Sequence, residues 1–236
     1  PVAGSLSPQR TQEYISVVEQ ANVDFFVIRG TAVSAEHVAS SGEPLNLKKF
    51  IYNLDVPVIV GGCASYQTAL HLMRTGAAGV LVGFGGAASS TTRQVLGIEV
   101  PMASAIADVA EARRDYLDES GGRYVHVIAD GAMGTSGHIA RALACGADAA
   151  MIGGPLARAK EAPGKGWHWG AEAWHQTLPR GRRVHYDSVG SLEEDVVGPS
   201  SVTDGTMNLV GALRRSMASS GYQDVKEFQR IELVIR

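Results

Sequence analysis

Cysteine is scarce: Cys63 and Cys145 are the only two in 236 residues. Two thiols make no disulfide framework and no thiolate cage for zinc, and they read as the reduced cysteines of an intracellular, cytoplasmic protein. They would pair only if the fold brought them together. Metal-ligand spacing is missing too. His37, His71, His126, His138, His168, His175 and His185 show no HExxH or related pattern, so no metal is expected. Charge of one sign is also lacking, since the formal net charge is -3, which gives no field to concentrate nucleic acid or anionic lipid. The longest weakly polar run, Gly76 to Ala88, is too short to span a bilayer, and the N-terminus has no basic stretch followed by an apolar one. Neither nucleic acid nor a membrane is expected as a partner. Aromatic residues are few, at 6%, whereas glycine, at 28 residues, exceeds its usual share, so much backbone must pass close to something.

What is present is 45% hydrophobic and 19% charged, the balance of a soluble globular chain with a real core. The length favours one core over two. Apolar runs recur with glycine at their ends: Asp24 to Gly30, Val56 to Gly62, Gly79 to Gly85, Tyr124 to Gly131 and Ala149 to Gly154. They lack period-two alternation, as strands buried on both faces of a parallel sheet do. Helical patterns lie between them. Tyr14, Val17, Val18 and Ala21 share one helix face, as do Met102, Ala105, Ile106 and Val109. Gly76 and Gly146 each follow a helix and precede a strand, which suits a left-handed C-cap. A repeated βα module of this kind argues for a (β/α)8 barrel, with a doubly wound sheet as the other solution. Even with Val2 to Leu6 as an opening strand, only about six strands are found where a closed barrel needs eight. About six βα units run to residue 160. From Ala162 to Ser201 the pattern gives way to Gly, Pro, Trp and charge, which reads as an excursion at the rim. A last amphipathic helix covers about 207–220, stopped by Gly221.

Three segments could carry chemistry. Val127 to Gly137 ends a strand in Asp130 and opens a glycine-rich turn into a helix near His138. A carboxylate there can accept two hydrogen bonds from a ribose diol, or simply cap the turn. Gly153-Gly154-Pro155 follows the next strand and enters a helix, where backbone N–H groups can hold a phosphate; an ordinary tight turn looks the same. Gly83 to Arg93 is a loop of small residues in which Ser90 is a nucleophile only if a base reaches it. His126, alternating with apolar neighbours, reads as a hydrogen-bonded core histidine. Trp167, Trp169 and Trp174 crowd the excursion, either packing it down or offering a base an aromatic platform.

Taken together these segments resemble the IMP dehydrogenase/GMP reductase family, and more closely its IMP dehydrogenase-related branch without the CBS insert. The similarity is carried, in the family's order, by STTR (Ser90 to Arg93), IADG (Ile128 to Gly131), SGHIARALACGADAAMIGGPLA (Ser136 to Ala157), APG (Ala162 to Gly164) and GALRRSM (Gly211 to Met217). Ile28 to Phe50 and Val95 to Gly131 resemble the related branch specifically. The resemblance implies one barrel over residues 1–236, a purine nucleoside monophosphate as substrate, NAD or NADP as cofactor, and a tetramer. It places the nucleotide at Ala88, Asp130, Ala132, Gly153 and Gly154, the cofactor at Arg29, Cys63, Gly83 and Gly85, and catalysis in the loop of Ser90 and Thr92. The implied activity is oxidation of IMP to XMP in guanine nucleotide synthesis. The alternatives are an inert nucleotide-binding or regulatory barrel and a GMP reductase-like reaction.

Matching the family loop GSICTTR to Ala87 through Arg93 puts Ser90 where the nucleophilic cysteine belongs. A hydroxyl is a far weaker nucleophile than a thiol at neutral pH. Ala88 stands for a phosphate-holding serine, Ala132 for the second glycine of the ADGG turn, and Arg29 for a strand-end aspartate that faces the cofactor ribose. Cys63, at a neighbouring strand end, is the alternative nucleophile, and Arg29 is a candidate for a 2′-phosphate. The resemblance also puts the first two barrel strands before Pro1, so the chain reads as truncated. An open barrel exposes parallel strand edges, and self-association or rearrangement is expected.

Overall fold

A computed structural model describes residues 1–34 and 43–234; His37 lies outside them. The chain opens as β1 (Ala3–Leu6), α1 (Pro8–Gln20), β2 (Phe25–Arg29), α2 (Leu47–Tyr52), β3 (Val58–Cys63), α3 (Tyr66–Arg74) and β4 (Gly79–Val82). It continues through α4 (Thr92–Leu96), α5 (Met102–Glu119), β5 (His126–Asp130), α6 (Ser136–Ala144), β6 (Ala149–Met151) and α7 (Gly154–Ala157). The six strands form one all-parallel sheet in sequential order, β1 at one edge and β6 at the other. This is the barrel architecture of the sequence reading with six of its eight strands. The chain keeps the sequential order, and no rearranged topology is seen among the described residues.

Both faces of the central strands are covered, which is why their sequences read as continuous apolar runs. Phe26 and Ile28, Val58 and Val60, Val80 and Val82, and Val127 and Ala129 alternate onto one face and meet Leu72, Met73, Ile106 and Val109 of the helices in a single core. Gly76 and Gly146 end α3 and α6 with φ of 100° and 113°, the left-handed turn that lets each helix drop into the next strand. Ser65 and Thr135 start the same helices by accepting from the N–H groups of Thr68 and His138.

At the floor, where β5 and β6 begin, Asp148 is gripped from three elements. It accepts from Arg113 Nη1 (2.7 Å), Tyr124 Oη (2.6 Å), the Val127 N–H (2.8 Å) and Lys226 Nζ (2.6 Å). Burial alone would raise this carboxyl, but the bonds from Lys226, Tyr124 and Val127, with the Arg113 charge, hold it down at about 2. His126 belongs to this floor and corrects the expectation of a core histidine: as the first residue of β5 it is 64% exposed, 4.0 Å from Asp148.

The excursion is ordered by a small hairpin, β7 (Trp167–His168) against β8 (Val184–His185), and a 3-10 turn, Ala171–Trp174. It also holds α8 (Leu192–Val197), which begins with a reciprocal capping box between Ser191 and Glu194. The chain closes with α9 (Leu209–Ser219), packed on α6, and α10 (Val225–Phe228), which carries Lys226 to the floor. None of the described helices is long and apolar enough to cross a membrane.

Candidate functional site

The C-terminal ends of the strands surround a cleft of about 540 Å³. Its walls are the segment after β2, the loop after β4, the turn after β5, the turn after β6 and the excursion. Asp130 ends β5 and Arg29 ends β2, with β3 and β4 between them in the sheet. The two side chains meet across the mouth, Arg29 Nε donating to Asp130 Oδ2 at 3.0 Å. Burial works against the Arg29 charge, and the Asp130 carboxylate more than offsets it. Gly83, at φ 132°, turns the chain out of β4 so close to the Asp130 carbonyl and Met102 that no side chain fits there.

The loop after β4 is held from above. The Arg182 N–H donates to the Ser89 carbonyl (2.8 Å), and the Thr91 N–H donates to the Arg180 carbonyl (2.9 Å). Arg182 Nε adds a bond to the Ala88 carbonyl at 3.1 Å. These bonds form the antiparallel bridge between Ser90 and Gly181, so the excursion docks on the segment that carries Ser90. The Ser90 hydroxyl donates to Thr92 Oγ1 at 3.1 Å and accepts from the Thr92 N–H at 3.3 Å. No basic side chain hydrogen-bonds it among the described residues. The result is a serine turned back onto its own loop, without the adjacent base that activates a hydroxyl.

At the far end, Gly153 and Gly154 lead from β6 into α7. A Cβ on Gly153 would stand 2.8 Å from His168 Cε1, and one on Gly154 3.2 Å from Tyr186 Oη. The excursion thus lays an imidazole and a phenol directly on this glycine pair. Burial pushes the His168 pKa down, which favours the neutral ring. His138, also on the cleft wall, is pushed down by burial and by Arg141, and its Nδ1 lies 3.1 Å from Thr135 Oγ1. Arg29 is the one Lys or Arg side chain lining the cleft among the described residues. A phosphate at the glycine end would therefore be held by neutral donors. No cluster that could hold a metal ion occurs among the described residues.

The profile described as "IMP dehydrogenase / GMP reductase domain" matches residues 2–236. The chain belongs to the IMP dehydrogenase/GMP reductase family. An uncharacterized oxidoreductase of Mycobacterium tuberculosis is 58% identical over 234 residues, covering 98% of this chain and 62% of the relative. The inosine-5'-monophosphate dehydrogenase of Thermoplasma acidophilum is 34% identical, covering 90% of this chain and 44% of that protein. The crystal structure of an IMP dehydrogenase/GMP reductase-like protein from Corynebacterium glutamicum superposes with a TM-score of 0.92 at 52% identity, covering 99% of this chain and 61% of the other. The chain thus spans about 62% of the length of the mycobacterial relatives it matches.

Of the positions that the family resemblance singled out, Arg29, Gly83, Gly85, Ala88, Ser90, Thr92, Asp130, Ala132, Gly153 and Gly154 all line this one cleft. Cys63 does not. It is fully buried within β3, donates its S–H to the Leu81 carbonyl at 3.4 Å, and burial pushes its thiol up to about 12. That corrects its reading as a cofactor contact or replacement nucleophile, because a dry thiol forms no thiolate at neutral pH. Cys145 is a free thiol elsewhere on α6's end, also raised by burial. The cleft therefore contains no thiol.

Sequence reasoning missed His138, His168, Glu172 and Tyr186 as wall residues. It noted the tryptophans without choosing among them, and Trp169 is the one on the wall. Arg183 lies 4.8 Å over the Trp169 ring and 4.9 Å over that of Trp174, a stack that stiffens the excursion. The end of β2 also departs from what a nicotinamide ribose requires. A carboxylate there would accept from both hydroxyls of a diol, whereas Arg29 offers only donors and is tied to Asp130. The end of β2 therefore lacks the paired acceptor that a carboxylate would offer a ribose.

Proposed function

We propose that this cleft binds a purine ribonucleoside monophosphate and does not carry out the family's thiol-dependent oxidation. The ribose diol would be accepted by Asp130, and the phosphate would lie at Gly153 and Gly154 under the Tyr186 hydroxyl. The reading rests on one observation: the acceptor and the glycine pair share a cleft with a loop whose nucleophile position is a serine bonded only to Thr92 among the described side chains. A hydroxyl without a base forms no covalent adduct on the purine at a useful rate. What the chain's own groups can do is bind, orient and enclose the nucleotide. The excursion, bonded to the loop at Ser89 and Thr91, supports a role in excluding water from it.

A second reading is an oxidoreductase of guanine nucleotide metabolism, in the IMP dehydrogenase or the GMP reductase direction. Family membership supports it, as does the word oxidoreductase in the name of the mycobacterial relative. In that reading the Arg29 charge suits NADP, with its extra phosphate, better than NAD. Both readings place the protein in the cytoplasm, where purine monophosphates are made, and family likeness supports a homotetramer. Calorimetric titration with IMP, GMP and XMP, with dinucleotide reduction followed in the same samples, separates them. Binding without turnover is expected. Turnover at rates above a Ser90→Ala control would establish the second reading.

A further inference from the structure

We propose that Arg29, Thr31 and Arg180 form a subsite for an anionic group, phosphate or carboxylate, on a second ligand, and that Asp130 masks it until a ribose takes that carboxylate. The proposal rests on the nucleotide reading above. In the free protein the Arg29 side chain is 41% exposed, lines the cleft and donates one hydrogen bond, to Asp130. A guanidinium has five N–H donors, so most of its capacity is unused among the described residues.

A second guanidinium reaches the same segment from behind the cleft wall, since Arg180 itself is not on the lining. Arg180 Nη2 reaches Thr31 Oγ1 at 3.5 Å, Nη1 donates to the Leu178 carbonyl at 3.3 Å, and Nε is buried with no hydrogen-bond partner. A buried unpartnered donor on a permanent cation is costly and marks a place where an acceptor is missing. The anionic groups facing the pair are Asp130, bonded to Arg29, and Glu172 of the 3-10 turn. In that state the Arg29 Nε–H is held by Asp130 and withheld from an anion. Once Asp130 turns its oxygens to a ribose diol, its charge stays in place but the Arg29 Nε–H is released, and the whole guanidinium fork can donate to an acceptor beside Thr31. Nucleotide and anion then bind with positive coupling, which must be reciprocal.

The test uses the whole chain, IMP and inorganic phosphate. Arg29→Gln removes the competitor for Asp130, so IMP should bind about fivefold tighter than to wild type, the factor expected for breaking a partly exposed ion pair. With IMP saturating, so that the glycine end is filled, phosphate should bind wild type and lose at least about fivefold in affinity in Arg29→Gln. Arg180→Gln is the second variant, since it leaves Asp130 untouched: it should weaken phosphate in the IMP-loaded protein without tightening IMP. IMP binding equal or weaker in Arg29→Gln, or phosphate binding unchanged in either variant, overturns the subsite and leaves the nucleotide reading standing. No IMP binding by wild type and both variants overturns the two together, whereas IMP binding seen only in Arg29→Gln supports the mask.

Discussion

Replacing Asp148 by Asn tests how the floor of the sheet is held. The Asp148 and Arg113 side chains are each 9% exposed and 2.7 Å apart. The amide keeps the shape but removes the charge, so Arg113 is left as a buried, uncompensated cation. Breaking a buried pair in this way costs about 3 to 5 kcal/mol. Lys226, at 60% exposure, returns to water and adds little. For a chain of this size the melting temperature should fall by roughly 10 °C. Protonation gives an independent measure. The Asp148 pKa is held down from 3.8 to about 2, which corresponds to about 2 kcal/mol of stability. Because the folded value lies below the unfolded one, this stabilisation is complete above the unfolded value, falls as pH drops through 3.8 toward 2, and is about half gone near pH 3. The amide variant has no such slope. Urea unfolding of both proteins at pH 7, 4 and 3 should therefore show a gap that narrows with acid. A gap under about 1 kcal/mol at pH 7, or one that does not narrow, would refute the reasoning.

Cys63→Ala should bind IMP as wild type does and lose roughly 1 to 2 kcal/mol of stability from the small cavity; weaker IMP binding by a folded variant would return this cysteine to the site. Gly83→Ala drives a Cβ into the Asp130 carbonyl at a left-handed φ, so thermal melts should show a loss above about 2 kcal/mol. Tyr186→Phe should weaken IMP about tenfold, the worth of a hydrogen bond to a charged group, and leave inosine, which has no phosphate, unchanged. Equal losses for both ligands would mean that the ring, and not the hydroxyl, is what matters.

Most of the barrel was legible in the sequence because strands buried on both faces keep their apolar character at every position. The five apolar runs and the opening Val2 to Leu6 segment all became strands, each within a few residues of its expected limits. His126 misled because it begins β5, where one neighbour is core and the other is the wet floor. Alternation alone does not locate a strand's first residue. The cleft was legible where its residues follow strand ends, as with Arg29, Gly83, Asp130 and Gly153. It was illegible where they come from the excursion. His168, Glu172 and Tyr186 are placed by tertiary bonds such as the Ser90 and Gly181 bridge, which no local periodicity announces. One signal was available: the Ser191 and Glu194 spacing marks the start of α8. The pairing of Arg29 with Asp130 depends on two strand ends separated by 101 positions, and neither segment hints at the other. Family likeness pointed to both residues, but as contacts of two different ligands.

The central claim, that a purine nucleotide sits in this cleft on the Asp130 carboxylate, is tested most directly by calorimetric titration of IMP into wild type and Asp130→Ala. Two hydrogen bonds from a ribose diol to a charged acceptor are worth about 3 kcal/mol, so the variant should bind IMP about a hundredfold more weakly. Equal affinity in the two proteins, or no binding of IMP by wild type, would contradict the account.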